Sequence, residues 1–231
     1  MATYVLLHGS YQGGWIWKDV ATRLRAAGQA VYAPTLDGCA ERKNQVRAGI
    51  TTETHADEIA QLLFYEDLND VVLVGTSSGG MVACRTAELA RERIGRLIFV
   101  DALALFAGEK IRDIVIRSTA TAGAGGLTAG PSREDAANRL FADLDERTRA
   151  WALDRYTQHP IGIYDQPVRL DSFWSLPWKA SVIWCRGAQN PGEAHQRRTA
   201  ERLKADWAEL DTGHYPMLSM PAELTTLLIK G

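Results

Sequence analysis

The strongest constraint on what this chain can fold into is an alternation of two hydrophobic periods. Short β-rich runs bounded by Gly or Pro recur at "TYVLLHG" (3–9), "AVYAP" (30–34), "DVVLVG" (70–75), "RLIFVDA" (96–102), "ASVIWC" (180–185) and "WAEL" (207–210), and they read as buried strands. Helical patterns lie between the early ones at 15–27, 53–67 and 78–93. The second is introduced by a capping arrangement of Thr51 or Thr52 with Glu53 and Asp57. Strands alternating with helices of this length build βαβ units and a parallel sheet covered on both faces. The expected class is α/β, with six mostly parallel strands and helices on both faces.

One interval breaks the alternation. Residues 103–179 separate two strands by far more than an ordinary crossover, so an insertion after the fourth strand is expected. It contains the flexible tract "STATAGAGGLTAG" (118–130), helical segments near 133–156 and the aromatic stretch "FWSLPW" (173–178). A small helical cap above the carboxyl edge of the sheet accounts for it. No internal repeat or linker divides the rest, and 231 residues suit one sizeable core, so 1–231 reads as a single domain with the cap at 103–179 inside it.

Composition narrows the function classes. A chain 46% hydrophobic and 23% charged belongs with ordinary globular proteins, and a net charge of −2 with dispersed Lys and Arg offers no stripe for a phosphate backbone. Nucleic acid is not an expected partner. Cys39, Cys84 and Cys185 are odd in number and far apart, which suits reduced thiols in the cytoplasm better than a disulfide framework. The start "MATYVLLHGS" runs straight into a strand without a basic n-region or a long apolar h-region, and no long apolar run occurs elsewhere. Neither secretion nor membrane spanning is expected, and nothing specifies an oligomeric state.

The chemistry concentrates at "VVLVGTSSGGMVACRTAELA" (71–90), where an apolar strand breaks into Gly and Ser and turns at once into a helix. Gly75-Thr76-Ser77-Ser78-Gly79 fits G-x-S-x-G in the strand-to-helix context that a nucleophile elbow demands. Small residues two before and two after the serine let neighbouring chain pass close by, and Gly80 permits tight packing of helix on sheet. Ser77 is then held at the sheet's carboxyl edge, where open α/β folds bind ligands. A phosphate cradle is disfavoured: the Lys of G-x-x-x-x-G-K-[ST] is absent and no G-x-G-x-x-G follows the first strand.

A serine hydroxyl needs a base. His214, in "LDTGHYPMLSMP" just past the last strand, stands where the chain order Ser, acid, His places it. His55 and His195 on helix faces and His159 in the insertion read as structural or solvated. The oxyanion needs two N–H donors, one from the residue after the nucleophile and one from a loop after an earlier strand. These are Ser78 and, in "HGSYQGGWIW" (8–17), Ser10, with His8 shaping the loop.

The segments "HGSYQGGWIW", "GTSSGGMV", "LIFVDAL" and "DTGHYPM" together resemble the α/β-hydrolase family, in particular the small-cap branch with salicylate-type methyl esterases and hydroxynitrile lyases. The resemblance runs over essentially the whole chain. It implies a Ser-His-acid triad, ester hydrolysis through an acyl-enzyme, no cofactor, and a pocket between sheet and cap. Lyases of this branch usually carry Thr where Gly9 stands, Cys where Ser78 stands and Lys where Tyr215 stands, so a hydrolase is the better match.

One departure bears on the acid. The family's usual acid follows the penultimate strand, and here that region reads "WCRGAQNPGEAH", with Asn190 near the slot and no aspartate. An amide does not stabilise an imidazolium, and that exchange costs about 10⁴ in kcat in a serine protease. Asp101, ending the strand "LIFVDA", is the preferred acid because its apolar approach delivers a carboxylate to the same edge; some α/β-hydrolases take their acid from that strand. Asn190 as a neutral stand-in, Glu193, or no third member are the alternatives.

Trp15 and Trp17 after the oxyanion loop, with Tyr164, Phe173, Trp174 and Trp178 in the insertion, read first as core. If several line the cleft, it suits a small apolar or aromatic ester or lactone. A weakly catalytic ligand-binding protein and a cofactor-free lyase or cyclase using His214 as base are the other readings. No metal site is expected, because no H-E-x-x-H or Cys/His ligand spacing occurs.

Overall fold

Burial along the strands alternates between two apolar layers. In β1 (Thr3–Leu7) the side chains of Tyr4 and Leu6 enter one layer and those of Val5 and Leu7 the other, all at most 4% exposed. In β3 (Val71–Ser77) Leu73 and Val74 divide in the same way. A strand whose two faces are both covered is what a parallel sheet between helical layers requires. Truncating one such residue, as in Leu6→Ala, costs about 2–5 kcal/mol.

These strands belong to a computed structural model that describes residues 1–115, 121–122 and 124–230. The chain runs from β1 through α1 (Lys18–Ala26), β2 (Ala30–Tyr32), α2 (Thr52–Tyr65), β3, α3 (Gly79–Leu89) and β4 (Ile94–Ala102). The inserted segment follows, with β5 (Thr121–Ala122), β6 (Thr128–Gly130) and β7 (His159–Pro160), and then β8 (Ala180–Cys185) and β9 (Asp206–Leu210) close the sheet. The six main strands pair in the order β2-β1-β3-β4-β8-β9, every pairing parallel. All six expected strands and the three early helices are present, within a few residues of their expected ends.

Two local expectations change. Helix α2 is N-capped by Thr51, whose N–H donates to Thr54 Oγ1 at 3.2 Å, so the reciprocal partner at the third helical position is Thr54 and not Glu53 or Asp57. The insertion is not purely helical: β5, β6 and β7 form a small antiparallel sheet beside short helices such as Glu146–Leu153. Strands of two or three residues carry no readable period. The tract 118–130 lies partly outside the described residues.

Parallel register places several chain ends on one edge. Leu7 pairs with Gly75 and Gly75 with Phe99, so the loop after β1, the end of β3 and the end of β4 emerge together. Among the described residues no helix is long and apolar enough to cross a membrane, and Cys39, Cys84 and Cys185 are buried and unpaired.

Candidate active site

Ser77 ends β3 with φ +50°, a left-handed backbone that an L side chain adopts only where surrounding structure enforces it. The enforcement is close packing. A Cβ on Gly75 would lie 2.6 Å from the Gly79 carbonyl oxygen, and one on Gly79 would lie 2.6 Å from that of His8. No larger residue fits the corner without displacing main chain, so the serine is held at the sheet edge.

Across from this corner β4 carries a bulge. Thr76 pairs with Val100 and Ser77 with Ala102, which leaves Asp101 as the extra residue, itself at φ +44°. The Leu103 N–H donates to the Ser77 carbonyl at 2.8 Å and closes the bulge. A bulge re-aims the side chain it carries. Here it directs a fully buried carboxylate to His214, whose Nδ1–H donates to Asp101 Oδ2 at 2.5 Å. The other oxygen, Oδ1, accepts the Cys185 N–H at 3.3 Å. Burial raises the Asp101 pKa, and the His214 and Cys185 contacts pull it back toward the ionised form.

His214 occupies the loop between β9 and the short helix Pro216–Ser219, with its side chain 17% exposed. The preceding Gly213 N–H donates to Asp143 Oδ2 at 3.0 Å, so a carboxylate of the inserted segment ties down the imidazole loop. With Nδ1–H committed to Asp101, the lone pair of the neutral ring sits on Nε2.

The loop after β1 lies against the elbow. A Cβ on Gly9 would be 2.5 Å from Ser77 Cβ and 3.2 Å from Ser77 Oγ. His8 holds this loop from beneath: its Nδ1–H donates to the Gly9 carbonyl at 2.8 Å and its Nε2 accepts the Leu36 N–H at 3.0 Å. Buried and neutral, that imidazole has its pKa pushed down to about 3, chiefly by desolvation. Ser10 and Ser78 are tied through their hydroxyls, Oγ to Oγ, at 2.9 Å. Among the described residues neither backbone N–H donates to a protein acceptor. Ser78 also caps the N-terminus of α3, where the helix dipole favours negative charge.

Ser77, Ser10 and His214 share the wall of one cavity of about 390 Å³, floored by the sheet edge and roofed by Ile111, Leu140 and Asp143 of the inserted segment. Asn190 also lines it, but the partner of His214 Nδ1 is Asp101. Glu193 instead pairs with Arg197 on its own helix at 3.1 Å. Of the six aromatic residues considered for the pocket, Tyr164 alone lines it. Trp17 and Phe173 are core, and Trp174 and Trp178 donate their indole N–H to the carbonyls of Leu105 and Phe173. Trp15 packs edge-on against Trp151 beside a separate surface depression. Tyr11, Asp143 and the exposed Arg139 line the cavity instead, and none has a sequence signature, since tertiary packing of an aperiodic segment brings them there. His55, His159 and His195 are buried, at most 7% exposed, and serve packing. Among the described residues no group of His, Cys, Asp and Glu is arranged to hold a metal ion.

Comparison with known proteins shows the family. Residues 4–226 match the model of the alpha/beta hydrolase family. The chain is 28% identical to a carbendazim hydrolyzing esterase of Nocardioides sp. (strain SG-4G), over 99% of its length and 98% of the relative's. It is 29% identical to an alpha-hydroxynitrile lyase of Arabidopsis thaliana, over 43% of its own length and 39% of the relative's. In structure it matches an extracellular alpha/beta-hydrolase from a Paenibacillus species, described as sharing structural and functional homology with tobacco salicylic acid binding protein 2. That match has a TM-score of 0.86 over 100% of this chain and 98% of the other, and at 20% identity it speaks for the fold.

Proposed function

Because the chain belongs to the alpha/beta hydrolase family, we propose that it is a serine esterase that cleaves small carboxylic esters or lactones through an acyl-enzyme. The observation that carries this reading is that His214, hydrogen-bonded to the buried Asp101, lines the same cavity as Ser77. Ser77 Oγ attacks the carbonyl carbon as its proton passes to His214 Nε2. Asp101 stabilises the imidazolium, and the N–H groups of Ser10 and Ser78 receive the oxyanion. As the C–O bond breaks, the same proton goes to the departing alkoxide. Water, deprotonated by His214, then attacks the acyl-enzyme and restores the serine. No cofactor enters these steps.

The segment 103–179 acts as the cap of a single domain and sets what enters. Leu103, Ile111, Val115 and Leu140 favour an apolar substrate body. The aromatic preference expected from the sequence has weaker support, because Tyr164 is the one member of the expected aromatic set at the cavity. Buried, unpaired thiols suit a reducing compartment, so we place the protein in the cytoplasm.

Hydrolysis is favoured over cyanohydrin cleavage by two contacts. A threonine at Gly9 would collide with Ser77, and Tyr215, 2% exposed and packed on Phe141, takes the position of the lysine expected of a lyase. The test is a p-nitrophenyl ester of a short acid. A burst of p-nitrophenol with one equivalent released per chain supports the acyl-enzyme, whereas no release from the intact protein hands the site to the lyase or ligand-binding reading.

A further inference from the structure

One turn of the inserted segment touches the chain on both sides of His214. Its ends are anchored in the core: the Leu144 N–H donates to the Phe141 carbonyl at 3.2 Å, and both side chains, at most 4% exposed, enter the apolar layer that holds Tyr215 and Met217. Phe141 meets Tyr215, the residue after the base, with ring centroids 4.9 Å apart. Asp143, between the two anchors, meets the residue before it and accepts the Gly213 N–H on Oδ2 at 3.0 Å.

The Asp143 contact is built for that one partner. The side chain is exposed, and among the described residues the Gly213 N–H is the one hydrogen-bond donor its carboxylate has. It lies so close to the loop that a Cβ on Gly213 would be 2.3 Å from Oδ2 and 2.6 Å from Cγ. The glycine of "DTGHYPM" is thereby explained, since any side chain there would push the carboxylate away. Water can satisfy an exposed N–H almost as well, so the bond adds little to the stability of the fold. What it does fix is the main chain one residue from the imidazole.

That main chain needs fixing. The Asp101 bond holds one ring nitrogen of His214 and leaves the ring able to pivot about that contact. Keeping Nε2 on Ser77 requires the backbone behind the ring to stay in place as well, and small displacements of a catalytic group are costly. We infer that Asp143 is a positioning residue for the proton transfer: by holding the Gly213 N–H it keeps the His214 main chain where Nε2 reaches Ser77. The base is then in place only while the turn at 141–144 is seated against it. This rests on the esterase reading above and adds to it.

The test is the rate at which a fluorophosphonate ester labels Ser77 in the intact protein, with and without His214. Asp143→Ala is expected to slow labelling about tenfold or more. Asp143→Asn, whose side-chain carbonyl accepts the same N–H, should stay within about threefold of native. In the His214→Ala background, adding Asp143→Ala should change the residual rate by less than about twofold, because a residue that acts through the imidazole then has nothing to place. A general disturbance of the fold, or of entry to the cavity, would slow both backgrounds alike. Equal slowing in the two backgrounds, an Asp143→Asn variant as slow as Asp143→Ala, or an Asp143→Ala variant that labels at the native rate overturns the inference and leaves the esterase reading intact. A native protein that takes up no label overturns both.

Discussion

The Nδ1–H of His214 meets Asp101 Oδ2 at 2.5 Å, and the carboxylate that receives it is wholly buried at a bulge on the strand beside the one that ends in Ser77. The bulge matters as much as the contact. Without the extra residue at 101, the side chain after Val100 would continue the strand's alternation and would not turn to the imidazole.

The acid can therefore be told from its neighbour. Asp101→Asn is expected to lower kcat by two or more decades, approaching the 10⁴ or so seen when a serine-protease acid becomes an amide. Asn190→Ala should change kcat by no more than a few fold. Steady-state kinetics on a p-nitrophenyl ester decide it, and the opposite ranking of the two variants would transfer the role to Asn190.

Gly9 sets the seat of the oxyanion loop on the nucleophile. A methyl group there would lie 2.5 Å from Ser77 Cβ and 3.1 Å from the Thr76 carbonyl oxygen, so either the loop or the elbow must move. Gly9→Ala is expected to cost on the order of 1–3 kcal/mol of stability, as overpacking does, and at least tenfold in kcat. A variant with native melting temperature and native turnover would contradict the close approach.

Acid should weaken the fold through its buried histidines. His8, with its pKa near 3, and His195, near 4, are neutral in the folded chain, and burial lowers His55 and His159 as well. Unfolded, each binds a proton near 6.5, so the unfolded chain holds more protons below that pH and stability rises with pH there. The stabilisation is present above about 6.5 and is lost as pH falls toward the folded values. His8 alone accounts for about 2 kcal/mol between pH 7.5 and pH 5. Urea unfolding at those two pH values measures it, and equal stabilities would mean that these imidazoles are not buried neutral.

Much of this was legible before any coordinates. The strand runs announce themselves because both faces of a parallel strand are apolar, and the elbow does so because only small residues tolerate its close approaches. Asp101 was readable as a charged residue ending an apolar run, although the bulge that turns it has no sequence signature. The cavity wall was not readable. Tyr11 and Asp143 reach it through packing of irregular chain, while Trp17 and Phe173, conspicuous in the sequence, are spent on the core.

The central claim is that Ser77 is a nucleophile activated by His214. The direct measurement is the reaction of the intact protein with a fluorophosphonate ester, followed by mass spectrometry of the adduct. One equivalent bound at Ser77, lost in Ser77→Ala and slowed at least a hundredfold in His214→Ala, is the predicted result. An adduct that persists in Ser77→Ala, or a native protein that takes up none, would contradict it.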